Sequence, residues 1–198
     1  MPISHPNRRH VLAGAAAALL PLPAFALSES AATTYVQRVI DDVFGIINSG
    51  QSEARIMRQF KQVFTSYADI NIIARSVLGP PFQTLNSREQ SAFSDAFGNY
   101  LTDKYGRQFR EFQGAEIVIT RARDAGSKGV LVNSDVRQQG QSPYSLDWQV
   151  SDRSGRTKLV NLIIEGISLL SSEREEVRAM LAARRNDVGA LTAYMASI

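Results

Sequence analysis

The sequence predicts an α+β domain in which an antiparallel, four-stranded curved sheet is covered on one face by several helices. Apolar residues recur at helical spacing from about residue 33 to 112, alternate with polar residues from about 117 to 164, and return to helical spacing near the end. Short turns between the strands favour an antiparallel meander. Helices that are separated in sequence from the strands are typical of the α+β class.

The first 26 residues have the three parts of a secretory signal peptide. Arg8-Arg9 form the basic part, residues 11–22 the apolar part, and Ala24-Phe25-Ala26 the cleavage site. The apolar part is shorter than the roughly 20 residues that span a bilayer, so we expect cleavage and not anchoring. Sec export and twin-arginine export fit the arginine pair equally well. The expected product is one periplasmic domain, residues 27–198.

The composition excludes several classes of function. Both histidines precede residue 11 and the chain has no cysteine, so the exported domain lacks the imidazole or thiolate that Ser-His-Asp, Cys-His and nearly all zinc sites need. Export removes two of the 22 basic residues and none of the 19 acidic ones, which leaves a net charge of +1. Because the charges alternate without a basic stripe, no nucleic-acid partner is expected.

Four helices are predicted ahead of the sheet. They begin near residues 33, 52, 69 and 87, and they end near residues 48, 67, 78 and 112. Asp69 is the expected N-cap of the third helix, which Gly79-Pro80-Pro81 ends. Ser87 and Gln90 have the spacing of a capping box and open the fourth and longest helix.

The fourth helix carries a stripe of large side chains, Phe93, Phe97, Tyr100, Leu101 and Tyr105. So much aromatic bulk on one helix predicts a wide surface to cover, such as a curved sheet. Periodicity alone does not distinguish a filled interior from a cavity. Lys104, Arg107 and Arg110 gather near the end of this helix, and a solvated helix end explains them better than a binding surface.

Four strands are predicted, at residues 117–120, 130–136, 144–150 and 158–164. Alternation is cleanest in the third, where Tyr144 and Trp148 share one face and Asp147 lies on the other. Tyr144 and Asp147 therefore form no inward acid/base pair, and no other strand offers one, so an enzyme is not expected. Glu165, at the end of the fourth strand, is interpreted as a hydrogen-bonded structural residue.

The fourth strand is apolar on both faces. Val160, Leu162 and Ile164 are predicted on one face, and Leu159 and Ile163 on the other. Because apolar side chains on both faces need to be buried, we expect this strand near the middle of the sheet.

A helical region follows that strand. Gly166 breaks the extended pattern, and Ser168 or Ser171 is expected to cap the next helix. Its first turn is expected to hold the acidic residues Glu173, Glu175 and Glu176, which suit the positive end of a helix dipole. Asp187 is the expected cap of a last short helix.

Three stretches together resemble one protein family. They are DINIIARSVLG at 69–79, REQSAFSDAFGNYLTDKYG at 88–106, and LIIEGISLL from Leu162, followed by Arg174. In this order they cover most of the chain after the signal, and Ile-Glu-Gly-Ile-Ser-Leu is the most specific part. The chain resembles the periplasmic lipid-binding component of the Mla pathway, the MlaC or toluene-tolerance family, which maintains outer-membrane lipid asymmetry.

The resemblance implies a carrier that holds phospholipid acyl chains in an apolar cavity between sheet and helices. It implies no catalytic residue, no metal and no cofactor besides the bound lipid. The implied partners are a phospholipid or related lipid, an inner-membrane ABC-type lipid complex and an outer-membrane lipoprotein complex. The expected lipid-binding residues are Phe97, Tyr100, Leu101, Tyr105, Val118, Val130, Val132, Leu146, Trp148, Val160, Leu162 and Ile164.

The chain departs from the family pattern at several positions. The family usually has Trp at the positions of Phe82 and Thr157, and Asp at the position of Asn161; a Tyr and a Phe stand where this chain has Glu173 and Val177. These changes leave the fold prediction unaltered and bear on the lipid. A hopanoid or another polycyclic lipid is the alternative ligand, and a non-transporting interaction module with a filled interior is the alternative function.

Overall fold

The computed structural model describes residues 27–198, with the side chains of Phe109 and Arg110 excepted. The predicted signal peptide, residues 1–26, lies outside the described residues. Seven α-helices and five strands form an α+β domain within the described range, as predicted. The helices are α1 Glu29–Ile47, α2 Glu53–Tyr67, α3 Ile70–Leu78, α4 Pro81–Thr84, α5 Ser87–Gly106, α6 Leu169–Ala182 and α7 Val188–Met195. The strands are β1 Glu116–Asp124, β2 Val130–Arg137, β3 Tyr144–Ser151, β4 Lys158–Ile164 and β5 Ile167–Ser168.

Polar side chains cap most of these helices where the sequence predicts caps. The side chains of Asp69, Ser168 and Asp187 each accept a hydrogen bond from a backbone N–H in the first turn of α3, α6 and α7. The capping box of α5 lies one residue earlier than predicted, because Asn86 is the N-cap and Glu89 bonds back to its backbone. The helix ends at Gly106, and a 3₁₀ segment, Arg107–Phe112, completes the range predicted as helix.

The sheet is an antiparallel meander in which the strands follow chain order from β1 to β5. The fifth strand is an addition to the predicted four, and a hairpin of two residues joins it to β4. Glu165 and Gly166 both have positive φ, 50° and 76°, as a tight turn between right-twisted strands requires. The Glu165 carboxylate accepts a hydrogen bond of 2.6 Å from the backbone N–H of Ser145, which confirms its structural interpretation.

A β-bulge in β4 corrects the predicted faces of that strand. Gln149 pairs with Asn161 and Val150 pairs with Leu159, so Val160 is the extra residue. The bulge shifts the alternation by one residue, so Leu159 lies on the same face as Leu162 and Ile164 and not on the opposite face, where it was predicted. The expected central position of β4 is also wrong, since β4 is fourth of five and its outer neighbour β5 has two residues.

The apolar side chains form two separate clusters. The helical cluster joins α3, α4, α5, α6 and α7 around Phe93, Phe97, Val177 and Leu191. The sheet cluster joins α1 to β2, β3 and β4 around Val36, Val132 and Trp148. Within residues 27–198 no helix combines the length and hydropathy needed to cross a membrane.

An apolar cavity between helices and sheet

A cavity of about 260 Å³ lies between the helical cluster and the sheet cluster. Its lining comes from α1, α2, α3, α5, the 3₁₀ segment, β1, β3, β4 and α6. The lining side chains are mostly aliphatic and aromatic: Val39, Ile40, Val43, Phe44, Ile47, Phe60, Val63, Phe64, Tyr67, Ala68, Ile73, Leu101, Tyr105, Gln108, Phe112, Ile117, Tyr144, Leu146, Trp148, Leu159, Val160, Asn161, Leu162, Ile164, Leu169, Leu170 and Glu173. Such a composition suits an apolar ligand.

The sheet provides one wall of the cavity through the inner faces of β3 and β4. Leu146 and Trp148 alternate along β3, and Ile164 and Leu162 stand opposite them on β4. The indole N–H of Trp148 donates a hydrogen bond of 3.0 Å to the hydroxyl of Ser134. Because that polar atom has its partner, the ring can present apolar surface to the cavity.

Helices α1 and α2 provide a second wall, in which α2 is less buried than α1. Phe60 is the one buried residue of α2, and the other large apolar residues of this helix are half-buried. A close approach fixes α2 against the end of α5, where a Cβ on Gly106 would lie 2.6 Å from the Met57 methyl carbon. A larger residue than glycine would therefore displace the end of the Met57 side chain at this contact.

Two tyrosines tie α1 to the end of α2 beside the cavity. The Tyr35 hydroxyl donates to the backbone carbonyl of Tyr67 at 2.8 Å, and the Tyr67 hydroxyl donates to the Asp42 carboxylate at 2.5 Å. The rings pack edge to face with centroids 5.5 Å apart. Burial, followed by the nearby Tyr67, raises the pKa of Tyr35 to about 12, so this hydroxyl stays protonated at neutral pH.

A charged cluster stands where α5 meets α6, at the edge of the cavity. Lys104 donates to Glu173 at 2.7 Å and also to Glu176, while Tyr105 donates to Glu173 and Tyr100 donates to Glu176. Burial alone would lower the pKa of Lys104, but the hydrogen bonds to both carboxylates raise it. Lys104 is therefore held by an ion-pair network and is not a free cation of a basic patch.

The acidic residues of α6 do not lie where the sequence predicts them. With Ser168 as N-cap, Glu173 falls beyond the first turn and is buried, so it belongs to the ion-pair network and does not interact with the helix dipole.

The carboxamide of Asn161 also lies in the cavity wall, where it accepts a hydrogen bond from the Leu170 backbone N–H at 3.0 Å and donates one to Ser168 at 3.0 Å. That contact holds the start of α6 against β4.

Seven of the twelve residues predicted to bind lipid line the cavity. They are Leu101, Tyr105, Leu146, Trp148, Val160, Leu162 and Ile164. The structure brings these residues together around one space, and their contact with a lipid stays a prediction.

The other five predicted residues lie outside the cavity lining, for three physical reasons. The stripe on α5 divides, and Phe97 and Tyr100 turn into the helical cluster while Leu101 faces the cavity. On the sheet, α1 packs directly over Val130 and Val132, which leaves no space above them. Val118 pairs with Asp135, and the alternation of β1 puts it on the opposite face from Ile117, which lines the cavity.

Sequence reasoning missed most of the helical lining. Val39, Val43, Phe44 and Phe64 belong to amphipathic stripes that the periodicity of α1 and α2 shows clearly. The signal that these stripes cover a cavity was the number of aromatic residues on them. Glu173 gave no such signal, because a glutamate in a helix is normally solvated.

The polar side chains in the cavity lining are few, and most of them form hydrogen bonds with other groups of the protein. In the described part of the chain no group of three or more acidic side chains is placed to hold a metal ion. Glu173 is the one carboxylate in the cavity lining, and Lys104 and Tyr105 bind one of its oxygens. The arrangement can surround an apolar body and offer it a polar group at one side.

The fold and this site define a class of protein, the α+β domains that hold an apolar cavity between an antiparallel sheet and a layer of helices. Within that class the chain belongs to the family described as MlaC protein, whose model matches residues 37–197. A similar solved structure is that of a phospholipid-binding protein from Ralstonia solanacearum in complex with a phospholipid. The two sequences are 20% identical, the match covers 83% of this chain and 94% of the Ralstonia chain, and the TM-score is 0.71. The predicted family and fold are thereby confirmed.

Proposed function

We propose that the protein is a lipid carrier that binds the acyl chains of a phospholipid in the cavity between sheet and helices. The observation that carries this proposal is the lining, in which nearly every side chain is apolar. Membership of the MlaC family supports it, and so does the structural likeness to a protein that was solved with a phospholipid. A carrier of this kind needs no catalytic group.

The energetics of acyl-chain burial are adequate for such a carrier. Each methylene group moved from water into an apolar site contributes ~0.8 kcal/mol. About ten buried methylenes would therefore supply ~8 kcal/mol before the costs of association and ordering. Because this term is non-directional, it holds the tails without selecting the headgroup.

The carrier is proposed to work in the periplasm, between an inner-membrane ABC-type lipid complex and an outer-membrane lipoprotein complex. The signal-like residues 1–26 and the family membership support this location and these partners. A ligand held by burial of its tails can be passed on when a partner offers a competing apolar site.

Native mass spectrometry of the purified protein, with lipid extraction from the same sample, tests the proposal. One phospholipid per chain is the expected result. A polycyclic lipid such as a hopanoid would replace the proposed ligand with another lipid class. A protein that carries no lipid and takes none up from vesicles would overturn the carrier function.

A further inference from the structure

Glu173 is an unusual residue to find in the wall of an apolar cavity. Its side chain is 4% exposed, and both of its protein donors, the Lys104 ammonium and the Tyr105 hydroxyl, bind the same oxygen, Oε1. The other oxygen, Oε2, is buried and has no hydrogen-bond partner among the groups that the structure describes. A buried carboxylate oxygen without a donor is costly, so its retention needs an explanation.

The charge around Glu173 favours a positively charged donor for that oxygen. Lys104 is the cation of a group that contains two carboxylates, Glu173 and Glu176, so the group carries a net charge of −1. Tyr100 and Tyr105 remain neutral, because burial and the carboxylates raise their pKa values. In an apolar wall, a hydrogen bond between opposite charges is about twice as strong as a neutral one.

The position of the group suits the polar end of a ligand. Its exposure rises outward from the cavity, from 4% at the Glu173 side chain to 28% at Lys104 and 45% at Glu176. The group therefore reaches from the apolar lining to the solvent. A ligand with its tails in the cavity would have its headgroup close to this edge.

We propose that Glu173 Oε2 binds a protonated amine on the headgroup of the ligand, which makes Glu173 a residue that determines specificity. This inference rests on the proposed function and extends it from the tails to the headgroup. The class of ligand selected is a lipid with a primary ammonium group. A lipid whose nitrogen has no N–H leaves Oε2 unpaired.

The test compares two phospholipids with identical acyl chains, phosphatidylethanolamine and phosphatidylcholine, because both are zwitterionic and the first alone has N–H donors. Delipidated protein is titrated with each. We expect wild type to prefer phosphatidylethanolamine about tenfold, as for a hydrogen bond to a charged group. In Glu173→Met the ratio of the affinities for phosphatidylethanolamine and phosphatidylcholine should fall to near one. Glu175→Gln is the control: Glu175 lies on the same helix, pairs with Arg178, does not line the cavity, and should keep the preference.

Three results would overturn the inference. They are equal affinities in wild type, a preference that survives in Glu173→Met, or a preference lost equally in Glu175→Gln. If Glu173→Met does not fold, the carboxyl ¹³C resonance of Glu173 in wild type replaces it, and phosphatidylethanolamine must shift that resonance more than phosphatidylcholine does. Equal binding of both lipids would leave the carrier proposal intact, whereas binding of neither would refute the carrier proposal itself.

Discussion

Leu162→Trp is expected to weaken lipid binding about fiftyfold while the fold stays intact. Leu162 is half-buried on β4, stands opposite Trp148, and lines the cavity of about 260 Å³. An indole at this position occupies space that acyl carbons are proposed to fill. If it displaces about three methylene groups at ~0.8 kcal/mol each, binding loses ~2.4 kcal/mol, which is about fiftyfold in Kd.

The assay is a titration of delipidated protein with a fluorescent phospholipid, paired with chemical unfolding in the presence and absence of lipid. Lipid at a hundred times its Kd should stabilise wild type by ~2.7 kcal/mol, and most of this gain should vanish in Leu162→Trp. Ile163→Trp is the control, because Ile163 is the next residue of β4, pairs with Asp147 and is not in the cavity lining. Unchanged affinity in Leu162→Trp, or equal losses in both variants, would refute the assignment of the cavity as the lipid site.

Two further predictions concern stability. Gly129→Ala should lower the free energy of unfolding by more than about 3 kcal/mol, because φ is +88° and a Cβ would lie 2.1 Å from the backbone carbonyl oxygen of Val150. Gly155→Ala is the control, with a similar φ of +83° but open space around the Cβ, and should lower it by ~1 kcal/mol. Equal costs in urea unfolding would contradict the close approach. Burial raises the pKa of Glu176, but hydrogen bonds from Lys104 and Tyr100 lower it below 4.5 on balance. When the pKa of a carboxyl group is lower in the folded state than in the unfolded state, the group stabilises the fold at pH values above the unfolded pKa. This stabilisation is lost as the pH falls through the folded pKa. Glu176→Gln should therefore flatten the loss of unfolding free energy below about pH 4.5, and an unchanged acid limb would argue against this network.

Much of the fold was predictable because local physical signals were strong. Alternating side chains define β3, and the predicted limits of β4 agree with the structure at both ends. Asp69 and Asp187 were correct as helix caps, since a short acidic side chain before an apolar run has few competing explanations. The capping box of α5 was wrong by one residue because Asn86 and Ser87 are both good caps.

The errors arise where long-range packing decides the outcome. The bulge at Val160 moves Leu159 to the inner face, and a bulge has no reliable signature in an apolar run. The cover of α1 over β2 removes Val132 from the lining, although its alternation is as regular as that of β3. Glu173 was placed in the first turn of α6 because its partner Lys104 is distant in sequence. Which side chains line a cavity depends on how the helices pack against the sheet. The periodicity of a single strand or helix does not determine that packing.

The division of the interior into two clusters has a consequence for folding cooperativity. The helical cluster and the sheet cluster meet at the cavity, so few direct contacts couple them there when the cavity holds no ligand. Each is then expected to exchange its amide hydrogens as a separate unit with its own opening free energy. A ligand that touches both walls should couple the two units, slow exchange in α5 and β3 together, and make unfolding more nearly all-or-none.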